Sequence, residues 1–261
     1  MNYNSDFADE FSYQKDEYKK VIKQYKNDVS YTCIDIIKDK NQFNKGKGRY
    51  ISIDFKSLLE EESQMTISEV LIESLKDFYK IKKDDKVLIV GLGNDKIIAD
   101  SLGPSVADKI MVTNHLFTLF KENEEDLKRV CVFTPKVMGQ TGLESADLVE
   151  AVVKLFKPNI IIVIDALATN SFNRINKVLQ LSDTGIAPGS GVGNYRKQID
   201  YQTLKVKVIA IGVATVVKAN HLIKDYDDDD LILTPKGIKE DIDNLSTIIA
   251  SSINKYLHSN M

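Results

Sequence analysis

The chain has 261 residues, 43% of them hydrophobic and 28% charged, which is enough apolar material for one substantial core or a core with a small appendage. A net charge of −3 and a pI near 5.7 argue against holding nucleic acid by counterion release, so no direct nucleic-acid partner is expected. Cys33 and Cys131 lie far apart in apolar segments and read as buried hydrophobes rather than a disulfide framework. The first residues, Met1 to Asp6, form neither a basic nor an apolar leader, and no run is long enough to cross a bilayer. A soluble cytoplasmic protein with no membrane partner is the expectation.

From the N-terminus, Phe7, Phe11, Tyr18, Val21, Ile22 and Tyr25 recur at helical spacing and predict an amphipathic helix over 7–25. Tyr31 to Ile37 and Arg49 to Phe55 are rich in β-branched and aromatic residues, and the Gly/Asn/Lys-rich stretch between them predicts a hairpin. Met65, Ile67, Val70, Leu71, Leu75, Phe78 and Tyr79 return to helical spacing. Residues 1–85 therefore read as an α+β portion packed on a core of residues 86–261, the two forming one compact unit.

Beyond residue 86, short continuous apolar runs alternate with amphipathic ones, the pattern of a buried parallel sheet. The runs are Val87 to Val90, Val130 to Phe133, Ile160 to Ile164, Val178 to Leu181 and Val206 to Val213, with helices expected near 103–121 and 144–156. Leu179 also suits an antiparallel strand. Thr234-Pro235 reads as an N-cap followed by a first-turn proline, opening a closing helix with the stripe Ile238, Ile242, Leu245, Ile248, Ile249, Ile253. The fold class is α/β, a central mainly parallel sheet flanked by helices. The acidic run Asp225 to Asp230 lacks the glycine and terminal glutamate of a calcium loop and reads as a solvated turn.

In open parallel sheets ligands bind where loops leave the C-terminal ends of strands. The first core strand runs into Gly91-Leu92-Gly93-Asn94 and then Asp100-Ser101-Leu102-Gly103-Pro104; the strand at 160–164 ends in Asp165. Two carboxylates are thus candidates to face one crevice, where like charges held close share a proton, one acid serving as base and the other as acid. Asp100 also suits a helix cap, and Asp165 a hydrogen bond to a neighbouring loop. Gly91-Leu92-Gly93 lacks the third glycine of a dinucleotide fingerprint. Asp183-Thr184-Gly185 matches the acid-bearing tripeptide of all-β aspartic proteases, a coincidence in an α/β pattern. The run Met138 to Gly142 is a glycine-flanked turn near the same edge. Pro188 to Lys197 joins flexible backbone to two cations, Arg196 and Lys197, and suits either an anion, a substrate backbone or a plain surface turn. His115, His221 and His258 show no metal-ligand spacing.

These segments, with Val112 to Phe117, Lys157-Pro158 and Ile209 to Val213, follow one another in an order that resembles the germination protease family, the spore endopeptidases that degrade small acid-soluble spore proteins. The resemblance spans roughly residues 86–218 and implies a core similar to hydrogenase maturation endopeptidases. It implies Asp100 and Asp165 as catalytic acids, and a substrate-binding set drawn from the matching loops: Gly91, Asn94, Gly139, Thr141, Gly142, Asp183, Gly189, Gly191, Gly193 and Asn194. It further implies a homo-oligomer, a zymogen processed at its N-terminus, and small acid-soluble spore proteins as partners in the spore core. The Arg-Thr-Asp-Leu-Ala-like run that opens such proteins is not found around Tyr31 to Asp35, and the stretch before the last helix is shorter than in the family. No cofactor is expected. Two rival readings are a metal-sensing maturation endopeptidase, with a divalent ion at Asp100 and Asp165, and a catalytically silent paralogue that binds spore proteins.

Overall fold

A computed structural model describes residues 5–11, 16–39, 45–119, 127–189, 196–219 and 231–258. Among these, the strands are β1 (Tyr18–Gln24), β2 (Ser30–Ile36), β3 (Gly48–Asp54), β4 (Lys86–Gly91), β5 (Arg129–Phe133), β6 (Ile160–Thr169), β7 (Val178–Ser182), β8 (Lys207–Lys218) and β9 (Ile232–Leu233). The helices are α1 (Glu61–Phe78), α2 (Leu102–Ala107), α3 (Asn114–Leu119), α4 (Met138–Thr141), α5 (Ser145–Phe156), α6 (Tyr201–Leu204) and α7 (Ile238–Leu257). All the described strands join one sheet in the order β1-β2-β3-β7-β8-β6-β4-β5, with β9 added at the end of β8.

The sheet has two halves. Strands β5, β4, β6 and β8 are mutually parallel, and their apolar runs are continuous because helices cover both faces. Alternation along the strands sorts the side chains. Val87, Ile89, Ile160, Ile162 and Ile164 pack with α1, α2 and α7, while Leu88, Val90, Ile161 and Val163 meet Ala146, Val149 and Val153 of α5. From β8 outward the pairing turns antiparallel through β7, β3, β2 and β1. The predicted hairpin is β2 and β3, and it extends the core sheet through the β3–β7 ladder. Strand β7 takes the antiparallel alternative on both its edges.

Three expectations need correction. The stretch 7–25 is not one helix: Ala8–Glu10 is a 3-10 turn and Tyr18–Gln24 is the edge strand β1, paired along its length with β2. Val21 and Ile22 are 51% and 58% exposed, so their helix-like spacing reflects no buried stripe; the unpaired edge of β2 decides the conformation. The helix expected near 103–121 is broken into α2 and α3, because Met111 N–H donates to Asn254 Oδ1 at 3.0 Å and Thr113 N–H to the carbonyl of Val130 at 3.2 Å. Those bonds tie the intervening chain to α7 and β5. The closing helix starts at Ile238 after Gly237, and Thr234 instead donates its hydroxyl to the carbonyl of Thr215 at 2.9 Å. The acidic run Asp225 to Asp230 and His221 lie outside the described residues. Among the described residues no helix is long and apolar enough to cross a membrane.

Candidate active site

The site is built where β4 stops and β6 continues. The last parallel pair of these strands is Gly91 with Ile164, and Leu92 N–H still reaches the carbonyl of Ile164 at 2.8 Å. The chain after β4 then folds away through Gly93. A Cβ on Gly91 would stand 2.3 Å from the carbonyl oxygen of Gly103, and one on Gly103 would stand 2.2 Å from that of Leu92. Backbone contact between β4 and α2 therefore requires both glycines. Gly93, at φ +113°, admits no side chain, since a Cβ would lie 2.0 Å from the carbonyl oxygen of Asp100.

That turn delivers Asp100 at the end of a 3-10 turn, Ile98–Asp100. Asn94 N–H donates to Asp100 Oδ2 at 2.9 Å, so the carboxylate is tied to the loop it closes. Asp165 comes from β6, one residue past the end of the β4 ladder and opposite Gly212 of β8. It lies within the strand rather than at its end, because β6 extends to Thr169. Its side chain is buried, and its Oδ1 accepts the N–H of Ala166 at 2.9 Å.

Both acids line one cavity of ≈ 520 Å³, together with Leu92, Ile97, Leu167 and Arg196. A β-bulge helps to shape it. The β6–β8 register slips between Leu167 and Ala168, which face Ala214 and Val216, so Thr215 is the extra residue and its backbone turns into the wall. Thr234, from beyond β9, braces that bulge and also lines the cavity.

Burial pushes the carboxyl of Asp165 well above the usual carboxylate range, and the neighbouring Asp100 pushes it further, against the Ala166 N–H. Burial also raises Asp100, to about 6, but the Asn94 N–H and the positive charge of Arg196 hold it back. Burial and mutual repulsion act in the same direction on the two acids, so their titration belongs to the pair. Two acids raised by burial and held in one cavity favour sharing a proton, one serving as base and the other as acid.

The other sequence-predicted residues are scattered around this pair. Gly189 lines the cavity. Asn94 supplies its N–H to Asp100, and Gly91 packs against α2 without lining the cavity. Gly139, Thr141 and Gly142 sit on the exposed α4 turn, whose Gln140 Nε2 donates to Asp95 at 2.9 Å; Val137, just before it, reaches the cavity. Asp183 lies away from the cavity at the end of β7 and accepts the N–H of Arg49 at 2.8 Å. Gly191, Gly193 and Asn194 fall outside the described residues. His115 is exposed on α3, and His258 is buried at the end of α7. Among the described residues, no group of three His, Cys, Asp or Glu side chains is arranged to hold a metal ion.

Sequence reasoning missed one contributor. Backbone groups of alternate strand residues share an edge, and the edge of β6 that β4 leaves is taken up at Ala168 by Asp6: Asp6 N–H donates to the Ala168 carbonyl at 3.0 Å, and Ala168 N–H to Asp6 Oδ2 at 2.9 Å. Asp6 lines the cavity. Gln180 clamps the same segment, donating to the Asp6 carbonyl and accepting from Ala8 N–H, both at 2.8 Å. Phe7 is fully buried against Leu167, Val178 and Ala214. The signal available in sequence was the pair of apolar residues Phe7 and Ala8 between acids, which the helical reading absorbed.

Comparison with known proteins places this architecture. The germination protease family model matches residues 2–228. The germination protease of Bacillus velezensis is 40% identical over 232 residues, covering 86% of this chain and 63% of that protein. The Bacillus subtilis germination protease is 43% identical over 204 residues, 76% of this chain and 55% of the relative; that of Clostridium acetobutylicum is 36% identical over 275 residues, covering 87% and 84%. This chain therefore spans less than two thirds of the length of the two Bacillus relatives. A NiFe hydrogenase maturation protease from Thermococcus kodakarensis aligns with 69% of this chain and 98% of its own, at a TM-score of 0.42 and 19% identity. On the family match and these identities, the chain belongs to the germination protease family.

Proposed function

We propose that the chain is an endopeptidase that hydrolyses small acid-soluble spore proteins during germination, using a water activated between Asp100 and Asp165. The observation that carries this reading is the pair of acids lining one cavity, both raised by burial, Asp100 to about 6 and Asp165 well above the usual carboxylate range. The ionised Asp100 takes a proton from the water as its oxygen attacks the peptide carbonyl, and the protonated Asp165 donates to the developing oxyanion. Collapse of the tetrahedral intermediate breaks the C–N bond, with the proton held by Asp100 passing to the leaving amine. Asp165 then recovers its proton as the new carboxyl group forms. The apolar wall of Leu92, Ile97 and Leu167 favours the substrate over bulk water and strengthens these hydrogen bonds.

The remaining parts of the reading rest on family membership: assembly as a homo-oligomer, zymogen processing and a place in the spore cytoplasm. The loop residues Gly189, Gly191, Gly193 and Asn194, with the turn around Gly139, Thr141 and Gly142, are the proposed walls for the substrate chain. The test is to incubate purified protein, Asp100→Asn and Asp165→Asn with an acid-soluble spore protein, with and without chelator, and to read fragment masses. Cleavage by the parent protein alone, indifferent to chelator, is expected. Full activity in either variant ends the two-acid mechanism, and loss of cleavage on chelation replaces it with a metal-dependent one.

A further inference from the structure

Arg196 stands apart among the four arginines of the chain. Arg49 is held by Asp35, Arg174 by Asp9, Glu10 and Asp54, and Arg129 lies 4.9 Å over the ring of Phe117. Arg196 makes no hydrogen bond, ion pair or ring contact among the described residues. It is half-buried, and among the described residues it is the one lysine or arginine that lines the cavity of the two acids. A guanidinium placed without a partner beside a carboxylate is a point of positive potential rather than a structural fork.

The two acids are differently placed to feel it. Asp100 is half-buried on a loop, whereas Asp165 is buried within β6. The positive charge of Arg196 acts on Asp100 and has no resolved influence on Asp165. The turn carrying Asp100 packs against α2, β6, β8 and α7. Helix α2 has no titratable residue, β6 contributes Asp165, and β8 carries Lys207 and Lys218 at its two ends. Helix α7 carries Lys239, Glu240, Asp241, Asp243 and Lys255. Helix α7 also carries Tyr256; Arg196 is the charge that lowers Asp100, and Asp6 adds to the rise of Asp165.

We propose that Arg196 is a positioning residue of the acidic pair, its guanidinium, which no described residue pairs, keeping Asp100 the ionised member and so fixing which acid takes the proton of the water. The inference rests on the reading of Asp100 and Asp165 as the reacting pair. In that scheme the acid limb of the kcat/KM profile reports Asp100, and the alkaline limb reports Asp165. Removing the cation raises the proton affinity of Asp100, so the acid limb moves to higher pH while the alkaline limb stays.

The experiment compares the pH profiles of the parent protein, Arg196→Gln and Arg196→Lys on a purified acid-soluble spore protein. The glutamine variant is expected to move its acid limb up by about one pH unit, a roughly tenfold loss on the acid side that fades above neutrality. The lysine variant, which keeps the charge, is expected to keep the limb in place. Carbon-13 carboxyl titration by NMR of aspartate-labelled protein reads the same shift without turnover, on folded samples checked by circular dichroism. A limb and a carboxyl titration that do not move in Arg196→Gln overturn the proposal. So does a rise in KM alone at every pH, which would make Arg196 a ligand of the substrate instead. Full activity of Asp100→Asn, by contrast, would sink the two-acid mechanism itself, so the two failures are distinguishable.

Discussion

Two clusters of buried acids lie within this molecule, and they are handled in opposite ways. Around Arg174, three carboxylates share one guanidinium: Asp9 at 2.8 Å, Glu10 at 3.0 Å and Asp54 at 2.9 Å. Glu10 also accepts the hydroxyl of Thr169 and, at 2.8 Å, the N–H of Asn170. In the cavity, Asp165 has a single N–H from its own neighbour, and Asp100 has one from Asn94. The first cluster is closed, its charges matched by a fork and by backbone donors, and it fastens the N-terminal segment to the sheet. The second is left open, with burial at Asp165 opposed by the single N–H of Ala166. Matched acids hold a structure together, whereas unmatched ones store proton affinity that chemistry can use.

The contrast is broken most decisively by amide substitution. In the cavity, Asp100→Asn and Asp165→Asn are each expected to lower kcat by about two to four orders of magnitude, the usual share of a general acid or base. Fold and cavity are expected to persist, as read by circular dichroism and thermal melts. Loss of structure instead of loss of turnover would mean that these acids belong to the same kind of cluster as Arg174.

The next largest effect belongs to the closed cluster. Arg174→Met is expected to destabilise the fold by about 3–5 kcal/mol, because three carboxylates would then lose the guanidinium they share. Urea unfolding measures it, and recovery of a large part of that loss at low pH, where the stranded acids protonate, would identify the cause. A change below 1 kcal/mol on the same scale would show that the fork is ornamental.

The cavity makes a third, opposite prediction. Burial in the folded protein raises the carboxyl of Asp100 from its ordinary 3.8 to about 6. A carboxyl raised by folding binds more protons in the native state, so the contribution of Asp100 to stability falls as pH rises from about 4 to about 6 and is flat beyond. The span corresponds to about 2–3 kcal/mol, which Asp100→Asn, neutral at every pH, should recover at pH 7 and not at pH 4. Urea midpoints of both proteins at the two pH values check the sign. Equal stabilisation at both would show that packing, and not ionisation, is responsible.

Much of this arrangement is legible in the sequence, for identifiable reasons. Continuous apolar runs such as Ile160 to Ile164 belong to strands covered on both faces, and an acid directly after such a run sits at the ligand edge of the sheet. Asp165 follows such a run directly and Asp100 follows the glycine turn after β4, and both line one cavity. What escaped depends on partners distant in the chain. Nothing local tells that Phe7 packs on Val178, that Gln180 clamps Asp6, or that Arg174 reaches Asp9 and Asp54. Tyr18 to Tyr25 carries apolar residues at helical spacing, yet the edge of β2 claims it as a strand. Thr215 gives no sign in sequence of its bulge, because a register slip exists only between two strands.

The finest test lies inside the closed cluster. Asp54 is the most open of its three acids, its side chain 33% exposed against 11% for Asp9 and 8% for Glu10. Burial raises its carboxyl above the ordinary range even though Arg174 pulls it down, and the charges of Asp9 and Glu10 add to the rise. Asp54 is thus the acid whose charge the cluster needs least. An asparagine there still accepts from Arg174 Nε, now 2.9 Å away, while relieving the repulsion from its neighbours. Both Asp54 and Asp9 take two prongs of Arg174, so it is the greater burial of Asp9 that sets them apart: Asp54→Asn is expected to destabilise by about 1 kcal/mol or less, and Asp9→Asn by more. Urea unfolding of the two variants ranks them. If Asp54→Asn proved the costlier, the guanidinium would be matched mainly to Asp54, and the N-terminal segment would owe its place to Phe7 and Gln180 rather than to charge.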